Sequence, residues 1–226
     1  TMTYDRHKKL SCKAPCTMYS VLLDHKIIDD PFYGLNEREY MHLSDKDCSF
    51  ECEFEVGQET LAKEYLELTF LGIDTICEIT LNGVLLDNTV NMHRSYTYDV
   101  KSILTYGKNR LELHFSSPTQ YFERMNNKHW LWTNGDTVPG ASHLRKAFYM
   151  SGWDWGPTLP DMGIFRPVVL DAYDGDKIDN VFVRQFHKDG EVTLEISVET
   201  KHNKSYGRNR RQDRKTRWRQ GKGKNR

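Results

Sequence analysis

From Cys48 onward the chain alternates apolar and polar residues in steps of two. Cys48, Phe50, Cys52, Phe54 and Val56 interleave with Ser49, Glu51, Glu53 and Glu55, which predicts a strand with an inward apolar face and an outward acidic one. Glu64 to Phe70 repeats the pattern with Leu66, Leu68 and Phe70 on one side, and Thr75 to Leu81 with Cys77, Ile79 and Leu81. Asn82-Gly83, between Leu81 and Val84-Leu85-Leu86, is a strong hairpin signal, because both central positions of a tight strand-matching turn need positive φ. Tyr96 to Val100 and Leu111 to Phe115 continue the series, with Gly107-Lys108-Asn109 read as the turn between them.

One helix interrupts the strands. Ser117-Pro118-Thr119-Gln120 offers an N-cap serine, proline at the first helical position and glutamine where a capping box places it. Tyr121, Phe122 and Met125 give the helix an apolar side, and Asn126-Asn127 is where it should fray. Upstream, residues 1 to 20 lack clean periodicity. Met18 to Leu23 reads as a short helix or a turn, ended by Asp29-Asp30-Pro31. Downstream, residues 129 to 143 form a long irregular segment, of a kind often functional in a compact domain. Ile164 to Ala172 reads as a closing strand, Tyr173-Asp174-Gly175-Asp176 as a linker, and Val181–Phe186 with Val192–Val198 as a hairpin turned at Asp189-Gly190. Such a hairpin is too small to bury a core alone. The expected class is all-β, a sandwich of about eight strands with one short helix.

At 226 residues and 38% hydrophobic content the chain can build a real core. No run of about 18 apolar residues exists to span a bilayer, and Thr1 to Leu10 has no apolar h-region, so a cytoplasmic location is expected. The five cysteines invite a zinc reading through two Cys-x-x-x-Cys pairs. The strand pattern argues instead that Cys48 and Cys52 are small inward residues, so reduced thiols and no metal are expected. The nine histidines lack ligand spacing, and no phosphate loop, dinucleotide motif or serine nucleophile elbow is present; no cofactor is expected. The net charge of zero hides a division, since residues 201 to 226 carry 12 Lys or Arg against Asp213 alone, +11, balanced by −11 in the first 200 residues.

The stretch hardest to explain by folding alone is Gly152-Trp153-Asp154-Trp155-Gly156-Pro157. It sets a carboxylate between two indoles inside glycine and proline punctuation, which suits a loop site. An indole covers the apolar face of a pyranose while a carboxylate accepts hydrogen bonds from neighbouring hydroxyls. Core packing is the competing reading, strongest for Trp155, which Gly156-Pro157 would wedge into a corner. Trp130 and Trp132, in the irregular segment, either line the same pocket or cover a hydrophobic edge.

Arg145-Lys146-Ala147, Gly152-Trp153-Asp154-Trp155-Gly156-Pro157 and Gly163-Ile164-Phe165-Arg166-Pro167 resemble the end of the amino-terminal sugar-binding domain of the β-mannosidases of glycoside hydrolase family 2. Asp30-Pro31-Phe32-Tyr33-Gly34 with Asn36-Glu37, Gly72-Ile73-Asp74-Thr75, Leu81-Asn82-Gly83 and Asn91-Met92-His93 extend the resemblance, in the same order, over roughly residues 18 to 190. The resemblance implies a jelly-roll β-sandwich, galactose-binding-domain-like, over residues 1–174, and the start of an incomplete immunoglobulin-like sandwich over 175–200. It implies that Trp153 and Asp154 contact the substrate, with Trp130, Trp132 and Trp155 as possible pocket wall, and that Asp30 to Glu37 packs beside the sugar site. The implied activity is hydrolysis of terminal β-D-mannose from oligosaccharides with retention. Both catalytic glutamates are expected in a barrel outside this chain, so no catalytic residue is expected here.

The implied partners are a mannose-containing oligosaccharide and the remainder of a β-mannosidase chain; no membrane is expected. A stand-alone carbohydrate-binding module is the alternative. Residues 201–226, expected as a disordered basic tail, read best as an out-of-frame stretch, since GAA codons shifted by one base give lysine and arginine. The competing readings are a solvated native tail and a nucleic-acid-interacting arm; nucleic acid is not the expected partner.

Overall fold

The structure is a computed structural model and describes residues 1–4, 8–154, 156–201 and 214–219. The chain divides into two units, Thr1–Ala172 and Tyr173–Arg226. The first opens with three short strands, β1 (Met2–Tyr4), β2 (Lys8–Leu10) and β3 (Cys16–Thr17), which the irregular pattern of residues 1 to 20 did not predict. Helix α1 (Met18–Asp24) follows, capped by Thr17, whose side chain accepts from the Ser20 N–H while the Ser20 hydroxyl takes the Thr17 N–H. Helix α2 (Asn36–Tyr40) leads through a 3₁₀ turn at Met41–Asp45 into β4 (Cys48–Val56), and α3 (Gln58–Leu61) separates β4 from β5 (Tyr65–Phe70). Next come β6 (Ile76–Leu81), β7 (Val84–Val90), β8 (Tyr96–Asp99), β9 (Gly107–Phe115) and α4 (Pro118–Lys128).

Two antiparallel sheets enclose the core. One has the order β2-β1-β4-β9-β6-β7, and the other joins β5 to β8 on one side and to the later strand over Val168–Tyr173 on the other. β9 is the central strand: Phe115 lies opposite Cys48 on β4 and Cys77 on β6. Period-two alternation buries Leu111, Leu113 and Phe115 from this strand against Leu66, Leu68 and Phe70 of the facing sheet. Phe50 meets Phe115 edge to face at 5.6 Å, a geometry worth roughly 1 kcal/mol beyond burial.

Three expectations need correction. Cys52 keeps the inward face, opposite Leu111, but is exposed rather than buried, because it lines a cleft of about 790 Å³ with Phe50, Phe54, Leu68 and Leu170 as apolar walls. Gly107-Lys108-Asn109 is not a turn but the first third of β9. Asn109 occupies an inward position and is satisfied there: its amide donates to the Thr105 and Gly107 carbonyls at 2.8 and 3.0 Å, and its oxygen accepts from Asn82 at 2.8 Å. The closing strand Ile164 to Ala172 is interrupted by Phe165-Arg166-Pro167. The buried thiols of Cys48 and Cys77 are pushed well above the ordinary thiol range by loss of water, as for packing residues.

The Asn82-Gly83 turn forms as predicted, with φ of 51° and 79°. Ser117 caps α4 by accepting from the Gln120 N–H at 3.1 Å. The second half of the capping box is absent, since the Gln120 amide donates to the Asp45 carbonyl and the Ser117 N–H to Asp47 Oδ1. Beneath α4, Phe122 with Ala141 and Leu144 forms a small second core, against which Phe148 packs.

After α4 the first unit continues through β10 (Ser151–Trp153), β11 (Gly156–Thr158), β12 (Gly163–Ile164) and β13 (Val168–Tyr173). The second unit holds β14 (Lys177–Lys188), β15 (Glu191–Lys201) and β16 (Arg214–Arg219), in that order across one antiparallel sheet. Of the basic tail, Lys201 ends β15 and Arg214–Arg219 pairs with β15 from Thr193 to Val198; residues 202–213 and 220–226 lie outside the described residues.

Candidate functional site

The Trp-Asp stretch folds as a tight hairpin. β10 pairs with β11 through Ser151 opposite Thr158 and Trp153 opposite Gly156. Asp154 sits exposed at the tip. Trp155, a possible pocket wall, lies outside the described residues.

Local sequence dictates this shape. Gly152 has φ of +105°, and a Cβ there would stand 2.3 Å from the Asp136 carbonyl oxygen and 2.7 Å from Thr158 Oγ1. Only glycine fits so close a backbone approach. The approach is made by the irregular segment before the hairpin. Val138 donates its N–H to the Ser151 carbonyl at 2.8 Å, and Thr137 is buried beside them. A 3₁₀ turn at Phe148–Met150 packs on both strands of the hairpin, and Leu159 N–H returns to the Met150 carbonyl at 3.0 Å.

Trp153 is both supported and presented. Its ring meets Phe148 edge to face at 6.2 Å and 78°, and Phe148 packs on the second core, yet the residue keeps 36% of its surface. An indole held on one edge and open on the other offers a fixed apolar plate, with the Asp154 carboxylate next to it in sequence. Trp130 and Trp132 are 72% and 74% exposed, so neither covers a hydrophobic edge within this unit. They precede the stretch 134–138 that is bonded to the hairpin.

The segment Asp30 to Asn36 is a self-bonded turn. Asp30 Oδ1 accepts from the Phe32 N–H, and its carbonyl accepts from the Asn36 amide. It presents Phe32, Tyr33 and Leu35 to water, and it leads into α2, which packs against β11.

A buried ionic cluster underlies the hairpin, and it was not foreseen from the sequence. Lys146 is 6% exposed and Asp74 2% exposed. The Lys146 ammonium donates to Asp74 Oδ2, and to the Asp161 carbonyl at 2.5 Å. Asp161 Oδ1 accepts from the N–H groups of Met162 at 2.8 Å and Tyr19 at 3.2 Å. Loss of water raises the Asp161 carboxyl to about 6, against hydrogen bonds that pull it down. Breaking a buried pair such as Lys146–Asp74 costs about 3–5 kcal/mol. In sequence the two residues lie 72 apart, Lys146 beside Arg145 and Asp74 between Ile73 and Thr75, and nothing local marks them as a pair.

Among the described residues no group of three or more His, Cys, Asp or Glu is arranged to hold a metal ion, and no helix is long and apolar enough to cross a membrane.

A two-sheet antiparallel sandwich with an aromatic–carboxylate hairpin on its late loops is a galactose-binding-like β-sandwich. The family described as glycosyl hydrolase 2 galactose-binding domain-like matches residues 1–166, and the chain belongs to it. Among curated relatives, the Beta-mannosidase of Mus musculus is 31% identical over 179 residues, 76% of this chain and 20% of that protein. Beta-mannosidase B of Emericella nidulans is 30% identical over 194 residues, 82% of this chain and 23% of that protein. The solved Beta-D-Mannosidase from Dictyoglomus thermophilum superposes with a TM-score of 0.84 at 29% identity, covering 96% of this chain and 28% of that one. The chain thus spans about a fifth of the length of the curated relatives it matches.

Proposed function

We propose that this chain is the amino-terminal domain of a β-mannosidase and that Trp153 and Asp154 form one wall of its substrate site. The observation that carries the reading is the hairpin itself: an indole braced by Phe148 and left partly open, followed directly by an exposed carboxylate. The likeness to proteins named β-mannosidase over most of the chain supports mannose as the sugar.

In this reading Trp153 stacks on the C–H face of the terminal mannose, and Asp154 accepts hydrogen bonds from two adjacent hydroxyls. Neither group moves a proton. Retaining hydrolysis uses two carboxyl groups about 5 Å apart, one as acid and one as nucleophile, and here both belong to the part of the protein outside this chain. Asp154 contributes to rate by gripping the sugar more tightly as its ring distorts toward the transition state.

One open wall binds weakly. For the isolated 226-residue chain, methyl β-D-mannopyranoside is expected to bind with Kd on the order of millimolar, read from shifts of indole N–H signals in NMR titration. Asp154→Ala should remove the response without moving the thermal midpoint. Binding that survives this substitution would rule out the assigned wall.

A further inference from the structure

We propose that Lys146 is the positioning residue of the Trp153–Asp154 hairpin, tying the start of the 146–163 excursion both to Asp74 and to its returning limb at Asp161, and so fixing where Asp154 presents its carboxylate. The proposal rests on the sugar-contact reading and deepens it.

Both ends of the excursion return to one residue. At the far end, the Asp74 N–H donates to the Gly163 carbonyl at 2.9 Å, and the Gly163 N–H returns to the Asp74 carbonyl at 2.8 Å. At the near end, the Lys146 ammonium reaches Asp74 Oδ2. The same ammonium also donates to the Asp161 carbonyl at 2.5 Å, so one side chain ties the outgoing strand to the returning one. Flanking backbone keeps Lys146 aimed inward: Met92 donates its N–H to the Arg145 carbonyl at 3.0 Å, and the Ala147 N–H points at Met92 Sδ at 2.9 Å. Gly163 makes the convergence possible, since a Cβ there would stand 2.6 Å from Thr17 Cα.

An ordinary buried ion pair would need only Lys146 and Asp74. What the pair alone does not explain is the second bond, to a backbone carbonyl on the opposite limb of the hairpin. An ammonium has donors for both partners at once, and a methionine of similar length has none. Lys146 touches no sugar in this arrangement; it acts through the hairpin.

The test uses the 226-residue chain with Lys146→Met and the double change Asp74→Leu with Lys146→Met. In Lys146→Met, amide exchange over residues 147–160 should quicken at least tenfold while amides of Cys48–Val56 and Gly107–Phe115 keep their protection, and affinity for methyl β-D-mannopyranoside should fall at least tenfold. Measured at pH 5, where the Asp161 carboxyl, raised to about 6, keeps its proton, the double variant leaves no uncompensated buried charge, so its thermal midpoint should return toward that of the parent chain at the same pH, while the hairpin stays loose. That separation of stability from hairpin order is what a merely structural role would not produce.

Unchanged exchange over 147–160 in either variant would overturn the proposal, and so would a double variant in which stability and hairpin protection recover together. Should Lys146→Met fail to fold, the double variant decides alone. A parent chain that ignores the mannoside while the variants loosen the hairpin would defeat the sugar reading and leave the clasp supported.

Discussion

In the Thr1–Ala172 sandwich, β9 turns Leu111, Leu113 and Phe115 to one side and buries all three, while Arg110 and His114 face out. In the second unit, β14 carries Val181, Phe182, Val183 and Phe186 and leaves each about half exposed. β14 is no poorer in apolar residues than β9, with five in twelve against three in nine. They differ in that β9 is apolar on one face and has a second sheet to cover it, whereas Val181 and Val183 lie on one face of β14 and Phe182 and Phe186 on the other. A strand apolar on both faces is the pattern of a layer covered twice, and the described residues of the second unit supply one sheet only. Alternation creates a strand; a facing layer makes it a core.

Substitutions should separate the two regions. The largest effect is expected for Phe115→Ala, fully buried and paired with Phe50, which should destabilise the sandwich by about 3–5 kcal/mol in urea unfolding followed by far-UV circular dichroism. Phe182→Ala in β14 should change the same transition by under about 0.5 kcal/mol. Equal losses would mean that β14 is covered as thoroughly as β9.

Enclosure also governs titration. The Asp161 carboxyl is raised to about 6 by loss of water, above its ordinary value near 4. The folded state therefore holds this proton more tightly than the unfolded chain does. The group's stabilising contribution is complete below about pH 4 and is lost as pH rises through 6, on the order of 3 kcal/mol in all. Asp161→Asn should flatten that part of the stability profile between pH 4 and 7. A profile unchanged by the substitution would mean the carboxyl is solvated.

The smallest comparison is the cleanest, because both units contain the same turn. Asn82-Gly83 has φ of 51° and 79°, Asp189-Gly190 has 50° and 76°, and a Cβ on either glycine would meet open space. Alanine at either site strains the backbone by about 1 kcal/mol. Gly83→Ala should shift the sandwich transition by that amount, whereas Gly190→Ala should leave it in place. A shift from both would show that the units unfold together.

What could be read from the chain follows the range of the forces involved. Cys48–Val56, the Asn82-Gly83 turn and the Ser117 cap were legible because neighbours in sequence decide them. The exposure of Cys52 is not legible, because it depends on a cleft walled by residues of both sheets. Asn109 reads as a turn residue because its bonds to Thr105 and Gly107 are local, while its partner Asn82, on the hairpin beside β9, is identified only after the strands have paired. In the site, Trp153 and Asp154 stood out by composition alone. Lys146 and Asp74 did not, since a charge is legible as buried only when its partner 72 residues away is known.

The return of residues 146 and 163 to Asp74 has a consequence for how such a domain can change over generations. A loop whose ends are fixed at one point adds entropy cost only with the logarithm of its length, so insertions at the exposed tip beside Asp154 cost the sandwich little, whereas Phe148, Gly152 and Leu159 are held by packing. The excursion behaves as a cassette: its tip can be rewritten while the socket that holds it stays the same.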